Sequence, residues 1–129
     1  MVPYETHTTH TMTDHDSQSV LPLKPVWFHI LLSVAENDAH GYAIRKAVEN
    51  RTGGKVKLWP TTLYGALSDL SELGFIIEDD RGNGTDDNLG RVRYKLTEVG
   101  SRVLSAETDR LERLVIASRA AQDTRPQAV

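Results

Sequence analysis

Residues 60–78 read PTTLYGALSDLSELGFIIE. Leu63, Ala66, Leu67, Leu70 and Leu73 recur at the three-and-four spacing that places side chains on one buried helical face. Pro60 suits the first turn of that helix, because the N–H it lacks would have no partner within the helix. One of the two threonines, Thr61 or Thr62, is the expected N-cap. Gly74 follows the last periodic leucine, where helices commonly stop. Phe75–Glu78 then reads as a strand. The face opposite the leucine stripe carries Thr61, Thr62, Tyr64, Gly65, Ser68 and Asp69. Short hydroxyl side chains and a glycine let a helix sit deep in the major groove, with hydroxyls and backbone N–H groups in reach of bases and phosphates.

Downstream, residues 80–90 hold two turn signals, Gly82 and Asn83-Gly84, and read as a long loop. Arg91–Leu96 alternates polar and apolar residues and is the expected return strand of a β-hairpin. Its period of two puts Arg91, Arg93 and Lys95 on one face and Val92, Tyr94 and Leu96 on the core face. A cationic row on a hairpin wing suits phosphate or minor-groove contact. Upstream, Lys55–Trp59 alternates in the same way and predicts a short strand, with Lys55 and Lys57 extending the cationic patch. Residues 42–51 read as a helix with Tyr42, Ile44, Ala47 and Val48 as its apolar stripe, ended by Gly53-Gly54. Residues 26–36 read as a buried helix built around Trp27, Ile30, Leu31 and Val34. Trp27 and Trp59 are both expected in the core.

Thr97 caps a last helix over 98–122, about 37 Å long at the α-helical rise. A helix of that length outruns one small core. Its stripe of Val103, Leu104, Leu111, Leu114 and Val115 therefore predicts a homodimer through the same helix of a second chain. The fold class that follows is mostly α with a small β component: a winged helix-turn-helix domain over 21–97 and a dimerisation helix over 98–122. Residues 1–20 and 123–129 are expected to be disordered, since neither carries enough apolar surface to offset the entropy of ordering.

The 129-residue chain contains no cysteine, which excludes disulfides, thiolate zinc sites and cysteine nucleophiles and fits a cytoplasmic location. No apolar run reaches the ~18 residues of a membrane span, and no signal peptide is recognisable. No catalytic motif stands out, and neither a cofactor nor a metal is expected. His7, His10 and His15 could ligate a metal, but nothing around them organises a site. Net charge is −3, yet it is segregated: residues 45–64 hold five cations against one carboxylate, whereas residues 66–80 hold five carboxylates and no cation. Phosphate binding responds to local potential, so the cationic segments matter more than the total.

Four segments together resemble the PadR family of bacterial regulators: His40-Gly41-Tyr42-Ala43-Ile44, Thr62–Leu70, Leu73-Gly74-Phe75-Ile76 and Arg93–Gly100. Trp59-Pro60-Thr61 departs from the family's usual entry to the third helix. The resemblance implies a transcriptional regulator, usually a repressor, that binds double-stranded DNA as a dimer and is released by an effector. The single C-terminal helix is similar to the short branch of the family. PadR-like regulators can bind small aromatic ligands, so Trp27 and Trp59 are candidate effector contacts. The expected DNA contacts are Lys55, Lys57, Thr61, Thr62, Tyr64, Ser68, Arg91, Arg93 and Lys95. The competing reading is a winged-helix protein–protein interaction module without DNA binding, suggested by the acidic 66–80 segment.

Overall fold

In the computed structural model, residues 19–37, 39–79 and 92–124 are described. The 80–90 loop, Arg91, the three N-terminal histidines and the 125–129 tail lie outside them. The elements run α1 (Pro25–Asn37), α2 (Gly41–Arg51), α3 (Pro60–Glu72), β1 (Ile76–Glu78), β2 (Tyr94–Leu96) and α4 (Glu98–Thr124). This is a winged helix-turn-helix followed by a long C-terminal helix. Among the described residues, no helix is long and apolar enough to cross a membrane.

The core sits where α1, α2 and α3 meet the base of the two-stranded sheet. Ile30 and Leu31 of α1, Ile44 of α2, Leu63, Leu67 and Leu70 of α3, and Phe75 just before β1 are its largest fully buried side chains. Val20 and Leu21 pack against this core from the N-terminal side. Arg51, at the end of α2, ties back to α1 by donating to Ser33 Oγ at 3.2 Å and pairing with Glu36 at 2.6 Å.

The end of α3 follows from its sequence. Gly74 adopts φ +83°, a left-handed conformation that costs a residue with a Cβ but not glycine. That turn lets the Phe75 N–H donate to the Leu70 carbonyl and the Gly74 N–H to the Ser71 carbonyl, satisfying two otherwise orphaned carbonyls. The start differs from the threonine cap expected. Trp59, in an extended conformation, is the N-cap residue and makes no side-chain cap bond. Pro60 fixes the first helical φ, so the helix begins before either threonine can cap it.

The sheet is an antiparallel pair with Ile76 opposite Leu96, Ile77 opposite Lys95 and Glu78 opposite Tyr94. The expected strand over Lys55–Trp59 does not form. Leu58 is buried and Val56 packs on the core, while Lys55, Lys57 and Trp59 face outward, so the alternation holds without a ladder partner. The place beside β2 is taken instead by Ala39 and His40: the Tyr94 N–H donates to the Ala39 carbonyl at 3.2 Å, and His40 bridges Arg93.

Thr97 caps α4 as expected. Its Oγ1 accepts from the Gly100 N–H at 2.9 Å and donates to the Gly74 carbonyl. A Cβ at Gly100 would collide with the Phe75 carbonyl, so glycine is needed for α4 to start this close to the β1 entry. Along α4, burial stops early. Val103 is fully buried in the chain's own core and Leu104 packs against it. Val103 is therefore already occupied within the chain and is removed from the expected partner-facing stripe. Glu107 is the last buried position. Its carboxylate takes two hydrogen bonds from Arg110, at 2.6 and 2.8 Å, and one from the Leu23 N–H at 3.3 Å. Arg110 holds the Glu107 carboxyl below the usual range against the opposing effect of burial.

Candidate nucleic-acid interface

α3 buries Leu63, Ala66, Leu67 and Leu70 and exposes everything opposite them. At the helical period, Thr61, Gly65, Ser68 and Glu72 run down the middle of the exposed face. Tyr64 and Ser71 flank it on the wing side, and Thr62 and Asp69 on the α1 side. Tyr64 is 55% exposed, yet it also packs: its hydroxyl would lie 2.8 Å from a Cβ at Gly41. The glycine at the head of α2 thus makes room for the ring, which packs α3 against α2.

The wing side of α3 is polar. Tyr64, Ser68, Ser71, Glu72, Glu78 and Tyr94 line a cleft of about 460 Å³. Burial pushes the Tyr94 phenol up, and the charges of Glu78 and Tyr64 add to the shift, so Tyr94 stays a neutral hydroxyl through physiological pH. On the other side, a cleft of about 380 Å³ lies between α3 and the start of α1, with Trp27, Thr62, Gly65 and Asp69 among its lining residues. Trp27 is half-buried, and the Lys24 ammonium stands 4.8 Å from its ring centroid.

The expected cations frame α3. Lys55 and Lys57 are exposed just before it, and Arg93 and Lys95 are half-exposed on the wing. Arg91 falls outside the described residues. Trp59 is 63% exposed, contrary to its expected place in the core, and Tyr42 is 61% exposed at the head of α2 rather than part of a buried stripe. The signal for Trp59 was present in the alternation, which puts position 59 on the same side as Lys55 and Lys57. Among the described residues, no group of three or more His, Asp or Glu side chains is placed to hold a metal.

Residues 30–106, more than half of the chain, match the model of the transcriptional regulator PadR-like family. The chain belongs to that family. It is 32% identical over 84 residues to the transcriptional regulator YqjI of Escherichia coli (strain K12), and equally so to an uncharacterised YqjI of Shigella flexneri. The match spans 64% of this chain but only 37% of the length of those relatives. The crystal structure of smu.1704 from Streptococcus mutans UA159 superposes with a TM-score of 0.58 at 20% identity, covering 93% of this chain and 98% of that one, a likeness of fold.

A second bare surface of this PadR-like chain lies at the far end of α4. Leu114, Val115 and Ile116 are 53%, 47% and 60% exposed. Leu111, Leu114 and Val115, with Ser118, Arg119 and Gln122, line an apolar groove of about 380 Å³. Of the expected stripe, Leu114 and Val115 are exposed, Leu111 is half-buried, and Val103 and Leu104 belong to the domain's own packing.

Proposed function

We propose that this PadR-like chain is a sequence-specific DNA-binding transcriptional regulator. It acts as a homodimer on a near-palindromic operator in the cytoplasm, represses, and is released by a small-molecule effector. It works by binding, with no catalytic step. The supporting observation is Gly65. Among the described residues, three glycines stand inside or at the head of helices, and two have internal reasons: Gly41 makes room for Tyr64, and Gly100 for the Phe75 carbonyl. Gly65 has none. A Cβ there would meet nothing within 4 Å, and the position is fully outward-facing on α3. Glycine in a helix interior costs roughly 0.5–1 kcal/mol relative to alanine. A cost with no internal return points to close approach by something outside the chain, and the flanking Lys55, Lys57, Arg93 and Lys95 suit a phosphate backbone.

The homodimer rests on the apolar end of α4. Two reading helices held together gain effective concentration on two half-sites. The cleft beside Trp27 is where a small aromatic effector would touch α3 directly and compete with DNA.

Gly65→Ala tests the reading. It is expected to raise unfolding stability by about 0.5–1 kcal/mol while weakening duplex binding about tenfold, the two effects having opposite sign. Titration at low and high salt accompanies it, because a DNA reader loses affinity steeply as salt rises. If the variant binds as tightly as the wild type, or if wild-type affinity is indifferent to salt, the protein–protein interaction module is the better reading.

A further inference from the structure

The reading helix carries no lysine or arginine. From Pro60 to Glu72 its exposed polar groups are the hydroxyls of Thr61, Thr62, Tyr64, Ser68 and Ser71 and the carboxylates of Asp69 and Glu72. The commonest direct contact to guanine, a bidentate Arg or Lys on O6 and N7, is therefore closed to this helix. Hydroxyls both donate and accept, so they discriminate weakly. Asp69 is different, because an ionised carboxylate only accepts. It is exposed one turn beyond Gly65, where the backbone can approach most closely, and makes no ion pair with any described residue. The neighbouring cation across the cleft, Lys24, stands over the Trp27 ring instead. Glu72 is the last residue of α3, nearly two turns beyond Gly65.

We propose that Asp69 is a specificity-determining residue that reads a cytosine in each operator half-site by accepting a hydrogen bond from its exocyclic N4 amine. The inference rests on the DNA-binding reading above and deepens it. In the major groove only cytosine N4 and adenine N6 donate. Adenine sets its N7 acceptor beside the amine, where it repels the second carboxylate oxygen. Guanine presents two acceptors and repels both. Cytosine offers the donor beside a C5–H and carries no major-groove acceptor of its own, the nearest being O6 of the paired guanine on one side only. Repulsion between Asp69 and the phosphates lowers affinity for every sequence, and the flanking Lys55, Lys57, Arg93 and Lys95 offset it. The carboxylate thus trades overall affinity for discrimination.

Selection of bound duplexes from a random pool by the full chain tests this, using wild type, Asp69→Ala and Asp69→Asn. The wild-type motif is expected to hold one strongly preferred cytosine per half-site. In Asp69→Ala that preference falls about tenfold, the range expected for one base contact. In Asp69→Asn it moves to adenine, whose N6 and N7 match an amide. All three proteins should melt together, because the side chain is exposed and makes no ion pair with a described residue. Three identical motifs, with only a general rise in affinity for both variants, would overturn the proposal and reduce Asp69 to a repulsive surface charge. A loss of folding in either variant would overturn its premise of a free side chain. A wild-type chain that binds no duplex even at low salt would remove the DNA reading itself, an outcome distinct from a motif that ignores position 69.

Discussion

The outer face of α3 and the far end of α4 are both helix surfaces that the core leaves bare, and their chemistry could hardly differ more. α3 offers hydroxyls, a glycine and carboxylates, framed by Lys55, Lys57, Arg93 and Lys95. α4 offers Leu114, Val115 and Ile116, each about half exposed. The proposed partners differ accordingly: a solvated polyanion suits a polar, charge-framed face, and a second copy of the chain suits an apolar one. The near half of α4 supplies the contrast within one helix, since Val103 and Glu107 are wholly taken up by the domain. The change from one regime to the other falls within about one helical turn after Glu107.

The comparison breaks most visibly at the far end of α4. Leu114→Asp with Val115→Asp is expected to give a monomer in sedimentation at micromolar concentration. Both residues are exposed, so the melting of the domain should stay close to wild type. Operator affinity should fall about a hundredfold or more, the loss expected when two half-sites are no longer bound together. A wild-type chain that itself sediments as a monomer would show that this apolar face needs no second copy.

The frame around α3 is tested by Arg93→Ala with Lys95→Ala. Binding should weaken for all sequences alike, and the slope of log affinity against log salt should flatten by roughly 0.9 for each phosphate that is no longer neutralised. An unchanged slope would mean that the wing cations do not touch the backbone, leaving Lys55 and Lys57 to carry the frame.

Glu107 marks where α4 stops belonging to the domain, and its titration sharpens that boundary. Arg110 chiefly, helped by the Leu23 N–H and opposed by burial, lowers its pKa in the folded chain. A carboxyl whose pKa is lower folded than unfolded stabilises the fold fully above its ordinary range, and that contribution fades as pH falls through it. Glu107→Gln should therefore lower the melting temperature by several degrees at neutral pH, and the gap to wild type should close on acidification. A gap independent of pH would assign the loss to shape rather than charge.

The smallest expected change is at Ser68, in the middle of the α3 face. Ser68→Ala should leave stability within about 0.5 kcal/mol. It should reduce discrimination between operator variants by about 1 kcal/mol, the low end for a base contact, as measured by competition binding. Identical discrimination would move the reading surface toward Thr61 and Thr62.

Much of this was legible in the order of residues. The helices expected over 26–36 and 42–51 appear as Pro25–Asn37 and Gly41–Arg51, because apolar spacing and flanking breaks are local signals. Gly74 and Thr97 act as read, one as helix stop and the other as helix cap, since each works on backbone groups within a few residues. The family was legible as well, in motifs that the 30–106 match covers. Other features depended on neighbours that are distant in sequence. The alternation of Lys55–Trp59 correctly separated Val56 and Leu58 from the lysines, but a strand also needs a hydrogen-bonding partner. Ala39 and His40 occupy that place beside β2. Trp59, large and apolar, is held outside because the extended entry to Pro60 turns it to the lysine side. The stripe on α4 was real as a pattern, but periodicity cannot say which turn meets the domain and which hangs beyond it. Gly41 and Gly65 look alike in sequence. Only the packing, with Tyr64 over one and open space over the other, separates a glycine needed within the chain from one that the chain's own packing does not require. Local backbone chemistry determined where elements begin and end. What each face meets was decided by tertiary packing, because burial is a property of two surfaces and the sequence of one segment describes a single one.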